Sequence, residues 1–367
     1  MIPVTKPYLP NRERLDRYID GIYERAWLTN NGELVKELTK RLESYLSVEN
    51  LLLVANGTLA LQIAYRALGI SGHVEPTEAI TTPFTFVATA SSLKWEGIEP
   101  IFVDINQNTW CLDPTLIEAA ITPNTKAIVP VHVFGNACEV EKIDNIARKH
   151  QLKVIYDASH AFGVNYKGES LLKHGDAATL SFHATKLFHT GEGGAIIFKR
   201  KEDLERAKKM INFGITGPEV IEGLGINAKM NELQAAMGLA VLDEIDQNLS
   251  ARKEIWTEYK EILKGLVKFQ DNSMNSTKNY SYFPAVFKSK EVTNKVLNIL
   301  MENNIHPRRY FYPSLETLTY VTDNNRKIVS HGIANKILCL PIYPGLKIDT
   351  VKESIYKAIK HINQEKK

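Results

Sequence analysis

The sequence predicts an α/β fold in which an open, mostly parallel sheet is covered by helices on both faces. Short apolar runs typical of buried strands recur along the chain, and helical stretches lie between several of them. Polar or glycine-containing segments follow the ends of several of these runs. Because the binding groups of such sheets gather at the carboxyl ends of the strands, these segments are candidates for a functional site.

The predicted elements follow in order. Residues 32–46 have the periodicity of an amphipathic helix, with one apolar face formed by Leu34, Leu38, Leu42, Tyr45 and Leu46. A second helix begins near Asn56-Gly57-Thr58 and ends at Gly69. Residues 139–150 predict another helix. The strand-like runs of this part are residues 51–56, 78–82, 99–105, 126–134, 152–158, 177–182 and 194–199.

The last third of the chain predicts a smaller α+β domain. A helix is expected from Met230 to about Asp246, and charged helical sequence continues past Arg252. A polar loop over 272–280 precedes a strand over 282–287, a helix over 291–304 and a final helix after Asp349. We therefore predict a large domain over residues 1–246 and a small domain over residues 247–367.

Composition excludes several classes of protein. The chain has 367 residues, of which 44% are hydrophobic and 24% charged, as in ordinary globular proteins. The net charge of +3 is too small to indicate nucleic acid, and the three separated cysteines form no metal or disulfide pattern. No apolar signal core or membrane-spanning run is present in the sequence. We expect a cytoplasmic protein with no membrane partner and no metal.

The stretch from Leu180 to Ala195 is the strongest chemical signal. An apolar strand ends in a polar segment that carries Lys186, and a Gly-Glu-Gly-Gly turn precedes the next apolar run. A lysine held there would be partly desolvated, which lowers its pKa and makes it a nucleophile toward a carbonyl. A solvated lysine in a β-hairpin is the alternative. The neighbouring Ser181, His183 and glycines favour an active site.

Three further segments supply complementary groups. Asn56-Gly57-Thr58 joins a strand to a helix N-terminus and would cradle a phosphate, although an ordinary turn with Thr58 as N-cap is equally consistent. Phe86 could stack on a planar ligand or belong to the core. Asp157 ends a strand. A carboxylate buried there needs a partner, and a protonated pyridine nitrogen would be one; the alternative is that Asp157 caps the following turn.

Together these groups match the requirements of pyridoxal 5′-phosphate. Lys186 would bond to the aldehyde, and Asp157 would keep the ring nitrogen protonated so that the ring can accept electrons. The glycine turn would hold the phosphate, and an aromatic side chain would cover the ring. Each group is a weak signal alone, but their order along the chain is difficult to explain otherwise.

The motifs that carry these groups resemble those of the DegT-type (DegT/DnrJ/StrS) sugar-nucleotide aminotransferases. The similar segments are NGTLAL, TTPFTFVATA, VIYDASHAFG, SFHATK with GEGGAI, and GINAKMNELQAAMG, and the resemblance covers nearly the whole chain. It implies an aspartate-aminotransferase-like (type I) fold with a seven-stranded sheet. It also implies a homodimer with active sites at the subunit interface, and pyridoxal 5′-phosphate as cofactor, with pyridoxamine 5′-phosphate as its aminated form.

The resemblance also assigns roles to individual residues. Lys186 would be the catalytic lysine; the cofactor would be bound by Gly57, Thr58, Phe86, Asp157, His160, Ser181 and, from the neighbouring subunit, Asn227. The substrate would be bound by Thr29, Asn30, His183, Lys229, Arg308 and Tyr312. Many relatives have glutamine at the position of His160 and arginine at that of Lys229. Plain turns and caps, a buried histidine and a solvated basic turn remain alternatives for the substrate group.

The implied activity is transfer of an amine from L-glutamate to a nucleotide-linked keto sugar. The opening MIPVTKPYLP, the WLTNNG turn and HPRRYFYPSL look most like the branch that aminates dTDP-4-keto-6-deoxy-D-glucose at carbon 4, for surface polysaccharides such as O-antigen. SFHATKLFHT also resembles the branch that aminates the 3-keto isomer. A sugar dehydratase would lack Lys186. A non-catalytic cofactor-binding regulator is the remaining alternative.

Overall fold

The computed structural model describes residues 1–321 and 327–364. Residues 322–326 and 365–367 of the predicted small domain lie outside the described residues. The strands are β1 (Ile2–Pro3), β2 (Leu51–Val54), β3 (Thr77–Thr81), β4 (Ile98–Phe102), β5 (Thr125–Val129), β6 (Lys153–Asp157), β7 (Asn165–Tyr166), β8 (Glu169–Ser170), β9 (Ala177–Ser181), β10 (Gly194–Phe198), β11 (Ile215–Gly217), β12 (Val220–Ile221), β13 (Phe283–Val286), β14 (Ile305–His306) and β15 (Ile337–Leu340).

Helices cover the sheet and form much of the C-terminal part. They are α1 (Arg12–Arg25), α2 (Glu33–Leu46), α3 (Gly57–Ala67), α4 (Val87–Trp95), α5 (Val140–His150), α6 (Lys201–Met210), α7 (Glu232–Leu242), α8 (Ile245–Ile262), α9 (Lys290–Glu302), α10 (Ile328–Ala334) and α11 (Ile348–Gln364). Among the residues described, no helix has the length and apolar character needed to cross a bilayer.

The central sheet has seven strands in the order β2-β10-β9-β6-β5-β3-β4. Strands β9, β6, β5, β3 and β4 pair in parallel, whereas β10 is antiparallel to both of its neighbours. Alternate residues of β2 enter different cores, since Leu51 and Leu53 pack on one side and Leu52 and Val54 on the other. Both faces are therefore buried, and the predicted α/β fold with a mostly parallel seven-stranded sheet is confirmed.

Two helical regions near the ends of this domain differ from the predictions. Helix α1 was not predicted, although Leu15, Tyr18, Ile19 and Ile22 stand at helical spacing among many charged residues. The helix expected from Met230 to about Asp246 ends earlier, because α7 stops at Leu242 and α8 begins at Ile245. The chain turns at Glu244, whose buried carboxylate accepts hydrogen bonds from the Tyr8 hydroxyl at 2.6 Å and the Asn11 amide at 3.2 Å.

The face predicted for α2 is correct except at one position. Leu34, Leu38, Leu42 and Leu46 are buried, but Tyr45 is 37% exposed and Val35 takes its place in the core. The Glu232 carboxylate, which accepts the Leu34 and Val35 amides at 3.0 and 2.9 Å, caps the start of α2. This cap fixes α2 against α7.

The C-terminal part has a core of its own around the antiparallel pair β13 and β15. The predicted boundary at residues 246/247 falls in the first turn of α8, and α8 contributes Ile255 and Tyr259 to that core. Side chains of the same part, including Tyr282 and Phe311, also pack against the core of the large sheet. The division into two domains at 246/247 therefore stays a prediction.

Candidate active site

Lys186 lies just beyond the carboxyl end of β9, where its amine meets an aromatic wall. Its Nζ donates a hydrogen bond to the Tyr282 hydroxyl at 3.4 Å and lies 5.9 Å from the centre of that ring. Burial lowers the pKa of Lys186 to about 8, although the charges of Asp157 and Tyr310 oppose the shift. The amine is therefore partly desolvated, as predicted, and loses its proton about two pH units below an ordinary lysine.

Asp157 ends the neighbouring strand β6 and is 5% exposed. Its Oδ2 accepts a hydrogen bond from the Thr89 hydroxyl at 2.8 Å, and its Oδ1 accepts the Ser159 amide at 3.1 Å. Thr85 bonds in turn to the Thr89 hydroxyl at 2.9 Å. No cationic side chain of the described residues forms an ion pair with Asp157, so its charge is oriented by hydroxyl and amide groups and remains available to a bound cation.

The turn after β2 forms a close-fitting cradle with the end of β9. The Asn56 side chain caps α3 by accepting the Leu59 amide at 2.9 Å, so the N-cap is Asn56 and not Thr58. A Cβ on Gly57 would lie 2.8 Å from the Ser181 Cβ and 3.1 Å from its Oγ. Thr58 is exposed on the first turn of the helix. Amide groups, a serine hydroxyl and the positive end of a helix dipole therefore meet at one point.

Two further rings, those of Phe86 and His160, were predicted to bind the cofactor. Phe86, at the N-cap of α4, is 51% exposed, which overturns the alternative that it belongs to the core. His160 is buried, and its Nδ1 accepts the Phe134 amide at 3.2 Å, which leaves Nε2–H as a donor. Burial and the nearby Lys186 charge hold the pKa of His160 well below its usual range. His160 is therefore a neutral donor that lines the same small cavity as Lys186, Ser181 and Tyr282.

Pyridoxal 5′-phosphate fits these residues. The Gly57 turn, into which no side chain could be placed without displacing Ser181, offers donors to a phosphate. The buried Asp157, without a cationic partner among the described residues, suits a protonated ring nitrogen, and the Lys186 amine suits an aldehyde. Across the parts of the chain that the structure describes, no group of three or more potential metal ligands occurs.

We predict that Gly57→Ala weakens cofactor binding by roughly tenfold or more, because relieving a contact this close costs about 1–3 kcal/mol. The measurement is the dissociation constant of pyridoxal 5′-phosphate from the purified variant. Gly332→Ala is the control, since a Cβ there meets nothing within 4 Å. Equal affinity of the Gly57 variant and the wild type would contradict the cradle.

Several residues predicted to bind substrate lie apart from this cluster. Asn30 and Lys229 line a groove of about 680 Å³ that does not include Lys186. Lys229 donates to Asn212 at 2.9 Å, and its ammonium lies 5.2 Å from the Phe213 ring centre. Thr29 is exposed beside Asn30.

Asn227 does not line the cavity of Lys186, but it precedes Ala228, whose carbonyl accepts the Ala55 amide at 2.8 Å just before the Asn56-Gly57 turn. Asn227 is exposed on the segment that pairs with Asn212. It makes no hydrogen bond to Lys186 or Asp157 among the described residues.

His183 is exposed, and its Nδ1 lies 2.8 Å from the Thr185 hydroxyl. The predicted alternative of a buried histidine is therefore wrong, although Nδ1 does accept the backbone amide of Thr185 at 3.3 Å. The Nε2 of His183 lies 3.7 Å from the Glu192 carboxylate.

The two adjacent arginines point in different directions. Arg309 donates to the Asn335 carbonyl at 2.8 Å and stacks on Tyr312, with its Cζ 4.0 Å from the ring centre. Arg308 is exposed, and its Cζ lies 5.3 Å from the centre of the Tyr310 ring. Its charge lowers the pKa of Tyr282, whereas burial raises that pKa. Arg308 is therefore electrostatically connected to the Lys186 site, whereas Arg309 serves the packing of its own segment.

Sequence reasoning missed the residues that orient the lysine and the carboxylate. Tyr282 and Tyr310, whose ring centres are 5.8 Å apart, come from the C-terminal part; Tyr282 belongs to no motif, and Tyr310 stands inside HPRRYFYPSL without having been singled out. Thr85 and Thr89 stood inside TTPFTFVATA, and their spacing of four residues was the signal that could have identified them.

The comparisons with known proteins agree with this geometry. Residues 11–360 match the profile of the DegT/DnrJ/EryC1/StrS aminotransferase family. The chain is 42% identical over 366 residues to a dTDP-4-amino-4,6-dideoxy-D-glucose transaminase of Shigella dysenteriae, and the match covers 98% of each chain. It is 38% identical to a dTDP-4-amino-4,6-dideoxy-D-glucose transaminase of Escherichia coli, over 95% of this chain and 96% of that one.

A solved structure supports the same assignment. The crystal structure of DesI in the presence of its TDP-sugar product matches 99% of this chain and 95% of its own, with a TM-score of 0.89 and 29% identity. The family profile, the full-length relatives and the site geometry agree. The chain therefore belongs to the DegT/DnrJ/EryC1/StrS aminotransferase family.

Proposed function

We propose that this chain transfers the amine of L-glutamate to carbon 4 of dTDP-4-keto-6-deoxy-D-glucose and forms dTDP-4-amino-4,6-dideoxy-D-glucose. The observation that carries the proposal is the placement of the Lys186 amine beside Tyr282, with Asp157 at the end of the adjacent strand. The sugar is chosen because two relatives that match nearly the full length are dTDP-4-amino-4,6-dideoxy-D-glucose transaminases.

Pyridoxal 5′-phosphate would be held by Gly57, Thr58 and Ser181 at its phosphate, by Asp157 at its ring nitrogen, and by Phe86 on its ring face. When bound, it supplies an aldehyde that accepts the amine and a protonated ring that accepts electrons. His160, as a neutral donor at Nε2, would bond to the ring oxygen.

The chain's own residues would control the proton. The Lys186 amine, largely neutral above about pH 8, would take the proton from the α-carbon of glutamate as a general base. It would then return a proton to the sugar carbon as a general acid. Tyr282, whose pKa is raised by burial, would stay protonated and hold the amine at its hydroxyl oxygen.

The regiochemistry is tested by supplying the 4-keto and 3-keto sugar nucleotides separately, each with glutamate. We expect kcat/KM to be at least about a hundredfold higher for the 4-keto sugar, because a misplaced hydroxyl leaves buried polar groups unpaired. Exclusive amination of the 3-keto isomer would place the chain in the other branch.

The pKa of Lys186 gives a prediction that needs no substrate. Below about pH 8 the amine is protonated and inert, and above it the free amine reacts, so acetylation of Lys186 by acetic anhydride should rise with a midpoint near 8. Labelling of the cofactor-free protein at a series of pH values, followed by mass spectrometry of the Lys186 peptide, measures this. A midpoint near the ordinary lysine value of about 10.4 would show that the amine is solvated.

We also propose a homodimer with shared sites. The hairpin β11–β12 and its flanks expose Phe213, Ile215, Val220, Ile221, Leu224 and Ile226. Such a contiguous apolar surface is typical of a protein interface. It lies beside the exposed Asn227, which a second copy could bring to its partner's phosphate. Size measurement in solution tests the dimer, and a monomer with full activity would contradict the shared sites.

A further inference from the structure

A fully buried arginine connects the segments on both sides of the Lys186–Tyr282 contact. Arg252 on α8 is 1% exposed. Its Nε donates to the Asn248 Oδ1 at 2.9 Å, and one terminal nitrogen donates to the carbonyls of Ser281 and Ile342 at 3.3 and 3.1 Å. No ion pair of Arg252 with a carboxylate occurs among the described residues, so this buried cation is satisfied by neutral oxygens alone.

Asn248 continues the connection toward the lysine. It is 0% exposed, and its Nδ2 donates to the Leu187 carbonyl at 2.9 Å. The orientation of the amide is fixed by chemistry, because a guanidinium can only donate and a carbonyl can only accept. Asn248 is therefore the one side chain on this path that both accepts from Arg252 and donates to the residue after Lys186.

The two ends of the network are adjacent to the two partners of the site. Leu187 follows Lys186 directly, and Ser281 precedes Tyr282 directly. The Lys186 amine and the Tyr282 hydroxyl then meet at 3.4 Å. Neither Asn248 nor Arg252 lines the cavity of Lys186, so neither is placed to touch a substrate or cofactor.

We infer that Asn248 and Arg252 are positioning residues that set the Lys186 amine against Tyr282, through the Leu187 and Ser281 carbonyls. The inference rests on the proposed function only for the role of Lys186. A displacement of about 1 Å at a reacting group can cost about a hundredfold in rate. The network thus determines the rate without contacting the reactants.

Asn248→Asp separates positioning from mere packing. The carboxylate keeps the shape and still accepts from Arg252, so the buried cation gains a counter-charge, but the donor to Leu187 is lost. We expect kcat to fall roughly 10- to 100-fold, with KM values for both substrates within about twofold. In the cofactor-free protein, we expect the acetylation midpoint of Lys186 to rise from about 8 toward the ordinary lysine value.

Asn248→Leu is the second variant, because it removes the same donor without adding charge and so excludes the new carboxylate as the cause of a raised midpoint. Arg252→Lys keeps the charge but loses the forked donors of the guanidinium. We expect it to lower kcat and to raise the acetylation midpoint of Lys186, as the Asn248 variants do. The matched control is Tyr259→Phe on the same helix, which removes one buried hydrogen bond to the Pro341 carbonyl and leaves Leu187 and Ser281 untouched.

The outcomes are distinct. A raised Lys186 midpoint in both Asn248 variants, with Tyr259→Phe unchanged, supports the inference even if no sugar is aminated, in which case the proposed function alone fails. If Asn248→Asp keeps the wild-type kcat and the wild-type acetylation midpoint of Lys186, the inference is overturned, and Asn248 and Arg252 have a purely structural role. If Asn248→Leu does not fold, Asn248→Asp and Arg252→Lys still decide the question.

Discussion

Lys186→Ala should abolish amine transfer while leaving the fold intact. The lysine is the group that would move the proton, and loss of a positioned general acid–base costs roughly 10²–10⁴-fold in rate. Its side chain is half-buried and makes no ion pair among the described residues, so the truncation should leave the fold unchanged. The measurement is turnover with glutamate and the keto sugar, together with thermal unfolding to confirm the fold.

The matched control for this variant is Lys278→Ala. Burial also lowers the pKa of Lys278 to about 8, but its ammonium lies 4.4 Å from the centre of the Trp256 ring, and Lys278 does not line the cavity of Lys186. We expect full activity in that variant. Wild-type turnover by Lys186→Ala would remove the lysine from the mechanism.

Asp157→Asn should lower the rate by about a thousandfold. The substitution keeps the size of the side chain but removes a charge that would face the ring nitrogen, and such a pair at about 4 Å is worth about 4 kcal/mol near a protein surface. Each 1.36 kcal/mol is a factor of about ten in rate. The amide oxygen can still accept from the Ser159 N–H, and the amide nitrogen can donate to the Thr89 hydroxyl, so the local structure should persist.

Asp176→Asn provides the comparison. Asp176 lies before β9, at the opposite end of the sheet, and accepts the Val154 amide at 3.0 Å. Its neutralisation should affect stability and leave the rate within about twofold. A rate for Asp157→Asn within about tenfold of wild type would show that the ring nitrogen is bound elsewhere.

Much of the fold follows from local pattern. Buried strands such as β2 and β9 are continuous apolar runs, and the burial of Leu34, Leu38 and Leu42 follows from helical spacing. Helix α1 has the same helical spacing at Leu15, Tyr18, Ile19 and Ile22, so the sequence held a signal for it as well. The break before α8 depends on Glu244, whose partners Tyr8 and Asn11 are distant in sequence.

In the candidate site, too, some residues could be predicted from local sequence and others depend on contacts that are distant in sequence. Groups at strand ends, such as Lys186, Asp157 and Gly57, could be predicted because the sheet topology brings strand ends together. Tyr282 could not, since it reaches the lysine from the C-terminal part of the chain through tertiary packing alone. The different surroundings of Arg308 and Arg309, which are identical in local sequence character, are likewise set by contacts that only the fold creates.

The central claim is that an amine passes from glutamate to carbon 4 of the sugar. The most direct measurement uses the purified chain with pyridoxal 5′-phosphate, ¹⁵N-labelled L-glutamate and dTDP-4-keto-6-deoxy-D-glucose, followed by mass spectrometry and NMR of the product. We expect one ¹⁵N atom per sugar, bonded to carbon 4, with 2-oxoglutarate formed in equal amount. A product that carries the label on another carbon, or an unaminated sugar with glutamate unconsumed, would contradict it.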